Sequence, residues 1–378
     1  MDNNIVKKIL TFKSGQFVFS RKFSAERLSN SLIEAKVLYN TVVDLPVLPE
    51  LAAKIEEEVI IKSIFGTAAI EGNPLTEERV AEILSQPEGT EKLKRAEKEI
   101  RNLKYAYDFI DSLQPSESPF KLTEGIVKNV HSIITNDIEH KYNTPGQYRN
   151  HSVKVGNEEH GGIYTPPKIL KDIKTLMREF MRWINTKELL ELDPAIRSAL
   201  VHYHLGLIHP FGDGNGRTAR IVEALLLRLA GIKYIPVMLS NFYYRNIDDY
   251  FWAFSKSIDS KENDITDFLD FVFKGLIDSL KEIKAKITFY IRKFTLRDYY
   301  SHLRTVKDIT QRQHDFLIIL LDYLKPFTLK DLFNISPFNI LYREVSERTA
   351  RRDLKKMCDK NLLLIKNGKY ELHFRVLG

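Results

Sequence analysis

The sequence predicts a mainly α-helical protein in several parts, with a short exposed hairpin in its body and a compact basic unit at its C-terminus. Apolar residues recur at helical spacing through most of the chain, whereas alternation of period two is confined to short stretches around Gly/Asn turns. A segment that mixes Pro, Ser and Thr, 114–123, separates an N-terminal helical region from the body. The predicted helices are 24–42, 50–71, 74–85, 90–113, 123–136, 168–186 and 194–208.

Composition is that of an ordinary globular protein. The 378 residues are 43% hydrophobic and 28% charged, enough for a proper core in two or three domains. No apolar run approaches the roughly 18 residues of a membrane span, and the start shows no signal cleavage pattern. One cysteine, Cys358, excludes an internal disulfide framework. We therefore expect a cytoplasmic protein without a membrane partner.

The net charge of +7 is unevenly distributed along the chain. Residues 301–378 hold 15 Lys/Arg against 9 Asp/Glu, so this part carries +6 and the preceding 300 residues only +1. A basic unit on a near-neutral body predicts an anionic partner for that unit.

The stretch HPFGDGNGRTAR, residues 209–220, lies between two predicted helices. The first helix begins with Asp193 as N-cap and Pro194 as its first residue; the second begins near Asn215 and closes at Gly231. A glycine-rich loop that leads into a helix offers unpaired N–H groups and the positive end of the helix dipole. Both features bind phosphate.

Glycines and arginines in this stretch fit that interpretation. Gly212, Gly214 and Gly216 remove side chains that would keep a phosphate away. Arg217 and Arg220 are three residues apart, on one helix face, and are predicted to hold the same anion.

The remaining side chains of the stretch suggest chemistry. An aspartate does not favour a phosphate by itself, so Asp213 is consistent with phosphate binding if Mg²⁺ lies between it and a di- or triphosphate. His209 is the group able to act as a base near neutral pH. Phe211 is predicted to pin the loop to the core. The loop is not a Walker A motif, because no Lys-Ser/Thr follows the glycines. His202 and His204 face opposite sides of a helix, which indicates packing residues, or residues that support the site from behind, rather than a metal site.

The stretch matches every defined position of the Fic (Fido) signature, His-x-Phe-x-Asp/Glu-Gly-Asn-Gly-Arg-x-x-Arg, and so resembles that family. Its enzymes transfer the AMP part of ATP to a protein hydroxyl, and some transfer other phosphate-containing groups or remove AMP. The resemblance implies a Fic-fold helical core in which His209 deprotonates a Ser, Thr or Tyr hydroxyl and Asp213 holds Mg²⁺. It also implies that ATP phosphates contact Gly214, Asn215, Gly216 and Arg217, with Arg220 on the γ-phosphate.

Two further segments extend the resemblance. Residues 147–167 alternate around a turn, and 152–166 resembles the family's flap, which holds a target protein by strand addition. An ordinary surface hairpin is the alternative. Residues 239–255 resemble the segment that supplies aromatic walls near the adenine, with Tyr250 and Phe251 as candidates. Aromatic residues at this spacing are otherwise typical of a core.

Glu71 ends the second long helix, where a carboxylate faces the negative end of the helix dipole at a cost of ~0.3–1 kcal/mol. Either an arginine partner or solvation would offset that cost. Thr67, Glu71 and Gly72 match the family's inhibitory pattern, Ser/Thr-x-x-x-Glu-Gly. The resemblance implies that Glu71 pairs with Arg220 and blocks the productive pose of the γ-phosphate. In some members this glutamate positions a water that removes AMP.

The basic C-terminal unit shows two helices, a basic helix and a hairpin with the turn Asn367-Gly368, and resembles a winged helix-turn-helix. Ala350, Leu354 and Met357 are predicted to face its core. A protein-docking module is the alternative to DNA binding, and one copy would bind DNA weakly, so DNA binding also predicts a homodimer. The residues predicted to contact DNA are Arg348, Arg351, Arg352 and Lys355.

The predicted parts are an N-terminal helical region (1–118), a catalytic core (119–285), a connecting helix (286–300) and the winged helix (301–378). The leading prediction is Mg²⁺-dependent AMP transfer, inhibited by Glu71. The alternatives are an enzyme that mainly removes AMP and a nucleotide-sensing DNA-binding regulator, but a sensor has no use for the base.

Overall fold

The computed structural model describes residues 5–87, 93–115 and 118–377. As predicted, the chain is mainly helical, and each of its three strand pairs is a separate two-stranded hairpin. Within the described ranges, no helix combines the length and the apolarity needed to cross a bilayer. The helices up to the longest one are α1 (Ala25–Asp44), α2 (Pro49–Ile70), α3 (Glu77–Ser85), α4 (Arg95–Ser112), α5 (Glu124–Ile134), α6 (Leu170–Ile184), α7 (Lys187–Leu190), α8 (Pro194–Ile208), α9 (Asn215–Leu229), α10 (Ile235–Arg245), α11 (Ile247–Ile258) and α12 (Thr266–Thr305).

Two predicted helix starts need correction. Helix α3 begins at Glu77 rather than at residue 74, because the Thr76 hydroxyl caps it by accepting from the Arg79 N–H. Helix α4 begins at Arg95. The predicted start at residue 90 lies outside the described residues, as do residues 116–117 of the predicted break.

The chain divides into two compact units. The first runs to Ile283 apart from Leu45–Val47, and the second consists of Leu45–Val47 and the chain from Lys284 onward. The second unit contains the predicted two helices, basic helix and hairpin in the predicted order. It also contains a short helix before the basic helix, which the sequence did not predict. Its elements are α13 (Gln311–Tyr323), α14 (Asp331–Asn334), α15 (Phe338–Tyr342, the missed helix), α16 (Glu347–Asp359), β5 (Leu363–Lys366) and β6 (Lys369–Leu372).

The second unit has its own aromatic core. Phe316 packs edge-on against Phe327, Phe338 and Tyr342, and all four are buried. The core face of α16 is as predicted, because its buried apolar side chains are Ala350, Leu354 and Met357.

The sequence did not predict a hairpin near the N-terminus, β1 (Val6–Leu10) with β2 (Gln16–Ser20). Phe19 of β2 is fully buried and stacks on Trp183 of α6 with ring centroids 5.5 Å apart. The turn is fastened from a distance, since three successive N–H groups at residues 12–14 donate to the Asp172 carboxylate at 2.8–3.0 Å. The sequence did not predict this hairpin because the contact that holds it joins residues some 160 positions apart, which produces no pattern among neighbouring residues.

We predict that Asp172→Asn loosens this hairpin. Burial opposes ionisation of Asp172, but hydrogen bonds from Ser14 and the backbone outweigh it and hold its pKa below the usual 3.8. The depressed pKa means that the stabilisation is present above pH 3.8 and is lost as the pH falls through the native value. At pH 7, hydrogen exchange of the β1–β2 amides should show an opening free energy lower by about 1–3 kcal/mol. Unchanged hydrogen exchange would contradict the role of Asp172 in holding this hairpin.

Candidate active site

The loop at 209–214 connects two capped helices. The Asp193 carboxylate caps α8 by accepting from the Ala195 N–H at 2.9 Å, and Pro194 is the first helical residue, as predicted. Helix α8 ends at His209, which has the left-handed backbone angle φ 48°. Gly214, with φ 75°, is the N-cap of α9, so the first N–H groups of α9 point out of the helix end beside His209.

Two buried side chains hold the loop from behind. The Asn215 amide accepts from the Phe211 N–H and donates to the Phe211 C=O, both at 2.9 Å. The Asn215 side chain therefore braces the loop, and its backbone remains available to an anion. Phe211 is buried as predicted, and it stacks on His131 of α5 with ring centroids 3.7 Å apart.

His131 is a positioning residue that the sequence did not identify. Its Nδ1 accepts from the Gly146 N–H at 2.9 Å, so in the neutral ring Nε2–H donates to the Asp213 C=O at 3.0 Å. Burial lowers the pKa of His131 to about 4, which keeps this neutral form at physiological pH. A single histidine on an amphipathic helix, more than 70 residues before the motif, carries no signal of this role.

The two motif arginines face different carboxylates. Arg217 Nη2 lies 3.1 Å from Asp213 Oδ2, and Arg217 Nη1 lies 3.7 Å from Glu99 of α4. Burial opposes ionisation of Asp213, but Arg217 outweighs it and the pKa of Asp213 lies below its usual range. Asp213 keeps 23% of its side chain exposed, with Oδ1 accepting from the Gly214 N–H at 2.7 Å and Oδ2 facing Arg217.

Arg220 is paired with Glu71, the C-cap residue of α2. Arg220 Nη2 donates to Glu71 Oε1 at 2.7 Å and to the Thr67 C=O at 3.1 Å. The Arg220 side chain is 1% exposed and that of Glu71 30%. Burial opposes ionisation of Glu71, but Arg220, followed by Arg217, holds its pKa below the usual value. Gly72, at φ 83°, ends this segment in the left-handed region.

The Glu71 carboxylate lies directly on the first turn of α9. A Cβ at Gly216 would come within 2.2 Å of Glu71 Oε1 and 3.0 Å of Arg220 Nη1. Only glycine leaves this space, and Glu71 takes it up. Gly212 makes a similar approach, because a Cβ there would meet the Tyr142 C=O at 2.0 Å.

His209 is held by its backbone while its ring faces a cavity. Arg149 donates from Nε to the His209 C=O at 2.8 Å and from its N–H to the Pro210 C=O at 3.0 Å. His209 Nδ1 lies 3.4 Å from the Gly206 C=O, so a proton on Nδ1 leaves Nε2 as the basic atom. Burial, followed by the charge of Arg149, lowers the pKa of His209 to about 4.

The cavity has a volume of about 300 Å³, and six of the thirteen predicted site residues line it, whereas Asp213, Arg217 and five others do not. His209, Gly216, Arg220 and Glu71 line it on the motif side, and Tyr250, Phe251 and Phe254 of α11 form an aromatic wall. His202 also lines it but is bonded to Glu223 and Tyr250, and the described residues hold no group of three or more potential metal ligands.

A hairpin inside the predicted 152–166 range covers one side of the cavity. Strand β3 (Val155–Asn157) pairs antiparallel with β4 (Gly162–Tyr164) across a 3₁₀ turn, Glu158–His160. The turn is fixed to α11, because His160 Nε2 lies 2.8 Å from Asp248 Oδ1 and the Ser255 hydroxyl donates to the His160 C=O.

Comparison with known proteins agrees with this geometry. Residues 121–227 match the family described as Fic/DOC. This central part of the chain is therefore a Fic domain. The chain is 29% identical over 218 residues to a protein named protein adenylyltransferase Fic from Aedes aegypti, and 30% identical over 185 residues to one from Drosophila erecta. These matches cover 57% and 49% of the chain but only 40% and 35% of the relatives, so the chain spans well under half of their length.

Solved structures support the Fic fold. A Fic family protein from Desulfovibrio desulfuricans G20 is 20% identical with a TM-score of 0.55, covering 91% of this chain and 95% of that one. Fic-1 (residues 134–508) from C. elegans is 22% identical with a TM-score of 0.52, covering 69% of this chain and 72% of that one. At this identity the likeness concerns the fold alone.

We predict that His131→Phe weakens the loop while keeping the ring stacked on Phe211. The substitution leaves the Gly146 N–H and the Asp213 C=O without their partner, so the free energy of unfolding should fall by about 1–3 kcal/mol. Both tryptophans, Trp183 and Trp252, lie in the first unit, so their fluorescence during urea unfolding measures this change. His302→Phe at an exposed histidine is the control, and equal stability of the two variants would contradict the role of His131.

Proposed function

We propose that this protein transfers AMP from ATP to a Ser, Thr or Tyr hydroxyl of another protein, and that Glu71 restrains this reaction. The observation that carries the proposal is one cavity in which His209 and the first turn of α9 face the Glu71–Arg220 pair. The relatives named adenylyltransferase support the nucleotide and the group transferred.

In the proposed reaction the target hydroxyl oxygen attacks the α-phosphorus of ATP. His209 Nε2 takes the hydroxyl proton, the bond between the α-phosphorus and the bridging oxygen breaks, and pyrophosphate leaves. The lowered pKa of His209 keeps the ring neutral and ready to accept a proton. The first N–H groups of α9 and Arg217 would hold the phosphates, as at other helix N-termini.

Asp213 fits the Mg²⁺ that this reaction implies. Mg²⁺ is commonly held by one or two carboxylates together with substrate phosphates, so a single partly exposed aspartate is sufficient. Asp213 would supply the carboxylate, and the ion would neutralise phosphate charge.

Inhibition follows from competition for Arg220. The Glu71 carboxylate takes up the guanidinium that the γ-phosphate requires and lies on the Gly216 backbone. A phosphate and a carboxylate cannot both occupy this space, because their negative charges repel each other at contact distance. ATP then binds with its triphosphate displaced from the productive pose.

The flap and the second unit would select partners. The β3–β4 hairpin is proposed to pair with a target segment through backbone hydrogen bonds. Exposed Arg348, Arg352 and Lys355 on α16, together with a net charge of +6 for residues 301–378, support DNA contact by the second unit.

We predict that Glu71→Gly raises AMP transfer at least about tenfold, equivalent to about 1.4 kcal/mol of barrier. The assay incubates purified protein with Mg²⁺ and ATP labelled on the α-phosphate and measures label on protein. Glu71→Gly/His209→Ala should lose about 10²–10⁴-fold of that activity, because the base is removed.

Glu57→Gly is the matched control, since Glu57 is an exposed glutamate of the same helix. Equal labelling by Glu71→Gly and Glu57→Gly would overturn the inhibitory role. Removal of label from a modified protein by wild type, but not by Glu71→Gly, would instead assign AMP removal as the main reaction.

The pKa of His209 predicts an unusual pH profile. Because the base form exists above about pH 4, kcat/KM of Glu71→Gly for ATP should stay level on the acid side down to about pH 5 and fall below it. Tryptophan fluorescence confirms that the protein is folded at each pH. A decline with its midpoint near the ordinary 6.5 would contradict the desolvated environment of His209.

A further inference from the structure

A group of buried polar side chains leads from α9 to the wall of the cavity, and the hydrogen bonds within it have no part in the reaction proposed above. Glu223 of α9 and His202 of α8 are each 1% exposed, and Tyr243 and Tyr250 are also buried. Buried carboxylates are costly unless hydrogen bonds compensate them, so each bond in this group has a definite partner.

The hydrogen bonds of this group all lead towards the Glu223 carboxylate. Tyr243 donates its hydroxyl to Glu223 at 3.1 Å, and His202 Nδ1 lies 2.9 Å from Glu223 Oε2. A neutral imidazole that donates from Nδ1 to a carboxylate must accept at Nε2. His202 Nε2 lies 2.8 Å from the Tyr250 hydroxyl, so Tyr250 donates to His202.

The far end of this chain of bonds reaches Arg220. The Tyr250 and Arg220 side chains line the same cavity, and the pKa of each is influenced by the other. Burial raises the pKa of Tyr250 to about 12, although Arg220 opposes that shift, so the phenol stays protonated. With its proton committed to His202, the Tyr250 oxygen presents only lone pairs to the arginine.

Arg220 needs such an acceptor. Its Nη2 is bonded to Glu71 and to the Thr67 C=O, but its Nε is buried and has no hydrogen-bond partner among the described residues. When Glu71 leaves, the charged partner of Arg220 is gone and Tyr250 remains beside it. A guanidinium that is fixed in place loses less freedom when it binds a phosphate.

We propose that Glu223, His202 and Tyr250 form a positioning relay that holds Arg220 ready for the terminal phosphate of ATP. This inference rests on the proposed function, in which Arg220 contacts that phosphate. The relay therefore predicts a difference between two nucleotides. Its loss should weaken the binding of ATP, which has a γ-phosphate, and leave the binding of ADP, which has none, unaffected.

The test measures the Kd of ATP and of ADP, with Mg²⁺, by calorimetry in the full-length Glu71→Gly protein. Tyr250→Phe keeps the ring and removes the relay hydroxyl, and Glu223→Gln keeps the shape and removes the carboxylate. Each is expected to raise the Kd of ATP about 3- to 10-fold, equivalent to the loss of roughly one uncharged hydrogen bond, with the Kd of ADP unchanged. Tyr203→Phe and Asp172→Asn, which alter a buried tyrosine and a buried carboxylate outside the relay, should change neither constant.

Two results would overturn the relay. Unchanged ATP affinity in both variants would show that Arg220 does not depend on it. Equal weakening of ATP and ADP would show that the two residues only shape the cavity. If a variant fails to fold, the nitrogen NMR shifts of His202 in the Glu71→Gly protein decide: a proton on Nδ1 alone supports the relay, and any proton on Nε2 contradicts it, because Tyr250 could then not donate to that nitrogen.

Failure of the proposed function gives a different pattern. A Glu71→Gly protein that binds ATP but labels no protein would remove the transfer reaction and leave the relay intact. Absence of ATP binding in that parent protein would overturn both.

Discussion

The buried guanidinium of Arg220 must have a counter-charge, and in this structure the counter-charge comes from Glu71. Removing one partner of a buried ion pair is strongly destabilising, whereas exchanging one anion for another is not. The resting protein and the proposed ATP complex are therefore alternative ways of compensating the same arginine. Helix α2 ends at the cavity, where its last turn supplies the Thr67 C=O and its C-cap residue supplies the Glu71 carboxylate to Arg220.

Around this pair, the loop at 209–214 is braced mostly by residues with no chemical role. His131 and the Asn215 side chain hold it from behind, and Arg149 holds the His209 backbone. These bonds fix the direction of the α9 N–H groups and of the His209 ring before any ligand arrives. Preorganised donors need no rearrangement when charge develops, which is the main requirement for catalysing phosphoryl-group chemistry.

The sequence predicted those features that depend on neighbours in the chain. Helix periodicity, the Asp193 cap with Pro194 and the left-handed Gly231 were all visible locally. The motif also placed the residues proposed to bind phosphate at one helix start, because they are close along the backbone. The partner of Glu71 came from resemblance to a family pattern, since nothing local distinguishes its end of α2 from a solvated one.

What the sequence missed depends on long-range contacts. The β1–β2 hairpin is fastened by Asp172, some 160 residues away, and His131 reaches the loop across 82 residues. His202 was predicted either to pack or to support the site from behind, and only the fold shows that its partners are Glu223 and Tyr250. Such pairings need a known topology, because no spacing rule brings these positions together.

The most direct measurement is a pair of crystal structures, of the wild-type and the Glu71→Gly proteins, each with ATP and Mg²⁺. We expect that in Glu71→Gly the γ-phosphate lies on Arg220 and the α-phosphate is open to the His209 side, whereas in wild type Glu71 stays on Arg220 and the triphosphate is displaced. A γ-phosphate bound to Arg220 in both proteins, with Glu71 still paired in wild type, would contradict this expectation.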